Sequence, residues 1–203
     1  MNNPKLIGRT RVNIEFYDID LSKIDYAKIN EVSTQFILDN KINKLPVDVI
    51  SIANKNSWSI IPYSKMRKDI KSIYEEIIYT DWGFTLSHNN RYFIFYNDNI
   101  KIGSQRFTIA HEIGHIVLEH FADSDAEIRE VEANWFAANL LMPINVLKCC
   151  RVSSPSEIST LCGVGYTSAS KIVSRLNDKL TNNINVNKQF YRFIKEYLNK
   201  NRF

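Results

Sequence analysis

Apolar positions in the first half of the chain recur at two spacings. In "DYAKINEVSTQFILDNKI" (25–42), Ile29, Val32, Phe36 and Ile37 fall on one face at a helical period, which predicts a helix. "LPVDVISIANKN" (45–56) predicts a second helix, with Pro46 in its first turn. "SWSIIPYS" (57–64) is short and rich in β-formers and reads as a strand. "KMRKDIKSIYEEIIYTD" (65–81) returns to the helical period, with Ile70, Ile73, Tyr74 and Ile77 on one side. "GFTLS" (83–87) and "RYFIFYN" (91–97) flank "HNN", the pattern of a β-hairpin. "RYFIFYN" alternates only in part, so cover is expected on both of its faces. Residues 1–24 read as irregular around one β-like stretch, "RVNIEFYDI" (11–19).

The second half reads as helices. One is expected to start near Ser104, a good N-cap residue after Gly103. "DAEIREVEANWFAANLLMP" (125–143) is the next, ended by Pro143. "SSPSEISTLCGVGYTSASKIVSRL" (153–176) predicts two short helices around a glycine-containing turn, and "NVNKQFYRFIKEYLNKNRF" (185–203) a basic amphipathic closing helix. There is no internal repeat. A soft boundary near 145–153 divides the chain into residues 1–148 and a C-terminal helical segment, 149–203.

Composition narrows the class. The 203 residues suffice for one domain with a real core, or one plus a small appendage; 44% apolar and 24% charged content is that of a globular chain. The net charge of +4 is too mild to argue for nucleic acid as a partner. No apolar run reaches the ~18 residues of a membrane span, and the N-terminus lacks the apolar core of a signal peptide. Cys149, Cys150 and Cys162 do not make a disulfide framework, and no Cys-x-x-Cys pair is present. The expectation is a cytoplasmic protein with no membrane partner.

The chemistry concentrates in "FTIAHEIGHIVLEH" (107–120). On a helix, His111 and His115 are separated by about 40° of azimuth, so both imidazoles can reach one metal ion. Glu112 lies about 100° from His111, flanking such a metal where a general base would stand. Ile109, Ala110, Ile113, Ile116 and Val117 make the helix apolar around most of its circumference, which argues for burial. Gly114 at mid-helix costs ~1 kcal/mol relative to alanine and calls for a close approach to repay it.

A third ligand is needed. On a continuous helix His120 would lie about 180° from His111, and "IVLEH" holds no glycine to break the helix, so His120 is set aside as a residue suited to the helix C-terminus. The next helix offers Glu130 and Glu132. Glu130 shares a face with Ala133, Asn134, Ala137 and Leu141, a small-residue face fit to pack on a helix containing Gly114. Glu132 shares its side with Trp135, Phe136 and Asn139, which is bulkier. Glu130 is the choice, with Asn134 one turn away to hold a ligand histidine through its other ring nitrogen. Asp123 and Asp125 are weaker candidates in the connecting loop.

"QRFTIAHEIGH" followed by "ExEANxFAxxLLMP" at Glu130–Pro143 resembles the ImmA/IrrE family of bacterial metallopeptidases. "PVDVISIA", "WSIIPYS" and "RYFIFYND" fit the upstream part of that pattern. The resemblance implies an α+β fold: a mainly helical zincin-like peptidase domain with a small three-stranded sheet, then a helix-turn-helix-like C-terminal segment. It implies a zinc ion, Zn(2+), on His111, His115 and Glu130, with Glu112 as catalytic base. It implies an endopeptidase whose substrate is a helix-turn-helix transcriptional repressor, in the service of a mobile element or stress response. The alternative is a non-catalytic, zinc-containing regulator that binds a repressor or DNA. In the C-terminal pair only Lys171 and Arg175 of "YTSASKIVSRL" are basic, which is thin for DNA contacts and favours a capping or docking use. "RYFIFYN" would offer backbone to an extended substrate if it lies at a sheet edge, and segment 187–203 a second contact.

Overall fold

The computed structural model describes residues 4–11, 20–75, 81–120 and 125–176. Four strands, β1 (Lys5–Arg11), β2 (Ser59–Pro62), β3 (Asp81–His88) and β4 (Arg91–Tyr96), form one sheet in the order β1-β3-β4-β2. The expected sheet had three strands. The fourth is β1, whose "KLIGRTR" has adjacent rather than alternating apolar residues and so carries no strand period. The predicted stretch 11–19 meets β1 only at Arg11; residues 12–19 lie outside the described residues.

The hairpin is present. Asn89 and Asn90 both take positive φ, 50° and 59°, between the paired residues His88 and Arg91. That conformation matches the right-handed strand twist, and asparagine tolerates it better than most residues. β4 pairs antiparallel with β3 and parallel with β2. It is therefore an inner strand, and the condition on which it was expected to pair with a substrate, a place at the sheet edge, is not met. Its partial alternation has the anticipated cause: Ile94 joins the main core and Phe95 a second cluster on the opposite face, with Phe84, Leu86, Tyr63 and Met66.

Eight helices are described: α1 (Tyr26–Asp39), α2 (Val49–Lys55), α3 (Lys68–Ile73), α4 (Ile102–Val117), α5 (Ala126–Leu141), α6 (Ile144–Cys149), α7 (Pro155–Cys162) and α8 (Tyr166–Leu176). Side-chain caps set several starts. Asp25 accepts from the Lys28 amide, Asp48 from Ser51 and Asp125 from Glu127, and Ser154 forms a reciprocal capping box with Glu157. Pro46 therefore precedes α2 rather than opening it, because Asp48 caps the helix. α3 ends at Ile73, residues 76–80 of its periodic pattern lie outside the described residues, and Asp81 already belongs to β3. α4 begins at Ile102, ahead of the expected Ser104, without a side-chain cap.

α4 and α5 approach closely at Gly114. A Cβ there would sit 3.1 Å from Phe136 Cδ1 and 3.2 Å from the Ala133 carbonyl oxygen. This is the approach that the mid-helix glycine and the small-residue face called for. α7 and α8 add Ile158, Cys162, Val164, Ala169 and Ile172 to the hydrophobic cluster that also holds Ile113 and Phe136. The basic segment 185–203 lies outside the described residues.

Candidate metal centre

α4 is buried over most of its length, and His111, Glu112 and His115 are 0–1% exposed. α5 brings Glu130 against them, with its oxygens 3.2 Å from His111 Nε2 and 3.3 Å from His115 Nε2. His111, His115 and Glu130 offer ligand atoms that all lie within 4.8 Å of one another. These are the three residues the sequence singled out.

The surrounding hydrogen bonds decide which ring nitrogens carry protons. Asn134 Oδ1 lies 2.9 Å from His111 Nδ1 and, as an oxygen, accepts, so Nδ1 donates. Glu132 Oε2 lies 3.0 Å from His120 Nε2, and a carboxylate oxygen accepts. His120 Nδ1, 2.9 Å from His115 Nδ1, is then the acceptor of a proton on His115. Burial, with the Arg129 guanidinium adding to it, pushes the His120 imidazole down to about 3, in keeping with a neutral ring. Both Nε2 atoms of His111 and His115 are left as lone pairs, 2.9 Å apart.

Two ring lone pairs and a buried carboxylate converging on one point repel each other unless a cation lies among them. Glu130 Oε2 fits this account: it is buried and receives no hydrogen bond of acceptable geometry. The titration behaviour points the same way. Burial alone would lower the His111 pKa, but the Glu130 carboxylate beside it raises it above its ordinary value. Burial opposes ionisation of Glu130, yet His111 and His115 hold its carboxyl well below the usual range. The cluster attracts positive charge, and a donor set of two imidazoles and a carboxylate suits a divalent transition metal.

Glu112 stands beside this cluster. Thr85 Oγ1, from the middle of β3, donates to its Oε2 at 2.7 Å. Gly8 of β1 pairs with Thr85, and a Cβ on Gly8 would overlap the His115 ring and lie 2.7 Å from Glu112 Oε2.

Four contributors escaped the sequence reading. Thr85 and Gly8 are distant in sequence, and their positions depend on sheet pairing. His120 was set aside on the premise of a continuous helix, and that premise fails. α4 ends at Val117, Glu119 takes a left-handed φ of 55°, and the His120 amide bonds back to the His115 carbonyl at 3.0 Å. This is a Schellman closure made without glycine, and it turns the His120 ring back onto His115. Glu132 likewise gains a place through His120. Asp125 serves as the α5 N-cap, and Asp123 lies outside the described residues.

Among the described residues, no helix is long and apolar enough to cross a membrane. Over 74 residues, 36% of this chain, the sequence is 34% identical to a DNA polymerase III subunit alpha from Ureaplasma parvum serovar 3 (strain ATCC 700970). The match spans 8% of that relative's length. Residues 60–156 match the family model described as IrrE N-terminal-like domain, a peptidase family. That span contains β3, β4, α4, α5 and all but the first residue of β2, and so every residue of the His111–His115–Glu130 cluster together with Glu112 and Thr85. Over residues 60–156 the chain thus matches the ImmA/IrrE peptidase family that its two motifs resemble.

Proposed function

We propose that the protein is a zinc-dependent endopeptidase, with His111, His115 and Glu130 as metal ligands and Glu112 as general base. The observation that carries this reading is the convergence of two proton-free Nε2 atoms and the Glu130 carboxylate beside a separately held carboxylate. When bound, the zinc ion would polarise the scissile carbonyl and acidify a water molecule. Glu112 accepts the proton of the attacking water on a carboxylate oxygen and returns it to the leaving amine nitrogen. Thr85 orients that carboxylate through its Oε2. Asn134 and the His120–Glu132 pair lock the two imidazoles in the tautomers that leave both Nε2 lone pairs pointing inward. The proposed substrate is a helix-turn-helix transcriptional repressor, on the strength of the family resemblance.

Glu112→Gln tests the catalytic assignment. An amide is isosteric but cannot accept the proton. Purified Glu112→Gln should retain metal by elemental analysis and lose about 10²–10⁴-fold in peptide turnover. Equal turnover by the variant and the wild type would overturn the assignment, and repressor clearance without Glu112 would favour the binding-only alternative.

A further inference from the structure

The site is closed. Glu112 and His111 are 0% exposed and His115 1%, whereas a peptidase must bring an extended chain against such groups. The element that lies across them is β1, which pairs antiparallel with β3 and puts Gly8 opposite Thr85, the residue that holds Glu112. No side chain fits at position 8, because a Cβ would run into the His115 ring and Glu112. An extended backbone, at its glycine, thus already lies against the base and a metal-binding imidazole.

Resting on the peptidase reading, we propose that β1 occupies the substrate's own place: the edge of β3 is the docking strand for an extended polypeptide, and the chain closes its site with its N-terminal strand until a substrate strand displaces it. The hold on β1 suits exchange. It is an end strand bonded to β3 alone, and its register slips twice, between Leu6 and Gly8 and between Thr10 and Arg11. Leu6 is 37% exposed, and Ile7 is the one buried apolar side chain described on it. Removing β1 would leave the N–H and C=O groups on that edge of β3 ready to pair with an incoming strand. A strand in the same register needs glycine opposite Thr85, which makes that position a specificity determinant.

The test is a reversible lock. Lys5 and Ser87 face each other across β1 and β3. In the full-length Lys5→Cys/Ser87→Cys variant, oxidation ties β1 in place, and mass spectrometry of the digest verifies the cross-link against the native cysteines. The probe is a labelled synthetic peptide, "KLIGRTR", copying residues 5–11, with binding read by fluorescence anisotropy. The reduced protein is expected to bind it at least tenfold more tightly than the oxidised one, and a "KLIVRTR" peptide at least tenfold more weakly than the parent. Peptide turnover, measured in parallel, should fall at least tenfold on oxidation and recover on reduction. Equal peptide binding by the locked and unlocked forms overturns the proposal, whatever the turnover. Binding that depends on the lock, with no turnover in either form, upholds strand exchange and removes the peptidase reading instead. Gly8→Val supplies a second route: it should expel β1 and tighten peptide binding in the otherwise wild-type chain, and weaker binding by a folded Gly8→Val protein counts against the proposal.

Discussion

The α4–α5 interface and the α7–α8 pair are both buried and both contain polar groups, yet they use them in opposite ways. At α7–α8 donors face acceptors. Arg106 donates to the Gly163 and Cys162 carbonyls at the end of α7, at 3.1 and 3.3 Å. Arg175 lies 3.5 Å over the Trp135 ring and donates to Asn139 Oδ1 at 2.7 Å, while Asn139 and Trp135 both donate to Asn30 on α1. At α4–α5 the hydrogen bonds instead run outward, from His111 to Asn134 and from His115 through His120 to Glu132, and leave acceptors facing one another inside. The first arrangement is what stability asks of buried polar groups. The second favours a cation among the acceptors, so the proposed chemistry falls to α4–α5 and support to α7–α8. The engagement of Arg175 also withdraws one of the two basic side chains on which a DNA-contacting α8 would depend.

The comparison breaks most sharply at Glu130. Glu130→Ala should lose its metal outright on dialysis while the fold persists by circular dichroism; a variant that keeps one zinc per chain would show that the convergence at α4–α5 is not a metal centre. A smaller effect is expected one layer out. His120→Ala removes the acceptor that fixes the His115 tautomer and should weaken zinc affinity by about 10–100-fold in chelator competition. Glu132→Ala acts on the same chain from one step further and should weaken it less than His120→Ala does.

At α7–α8 the sign of the contrast reverses. Arg175→Ala loses its stacking on Trp135 and its bond to Asn139 and should destabilise the fold by about 1–2 kcal/mol in denaturant titration, with metal affinity unchanged. A large loss of zinc affinity in that variant would mean that the two regions are not separable. The smallest change concerns Glu119, exposed and left-handed at the end of α4. Glu119→Gly should raise stability by about 0.5–1 kcal/mol, since glycine adopts that conformation without penalty. A fall in stability would show that the closure carrying His120 depends on the glutamate side chain.

What the chain determined by itself is local in sequence or periodic. The helical repeat placed His111 and His115 on one side and distinguished Glu130 from Glu132, because azimuth on a helix follows from residue number. Gly114 and the small face Ala133–Ala137 announced a close crossing before any packing was seen, since a mid-helix glycine is costly without one. The partial alternation of "RYFIFYN" carried its burial on two faces. Tertiary structure decided the rest. The pairing of β1 with β3 is non-local, and "KLIGRTR" shows no period from which to read it. β4 became central because β2 joined it from the other side, and strand order is not written in the composition of a strand. His120 returned to the site through one left-handed residue that is not glycine, a conformation that side-chain identity seldom reveals and that packing of the ring against His115 and Glu132 can enforce.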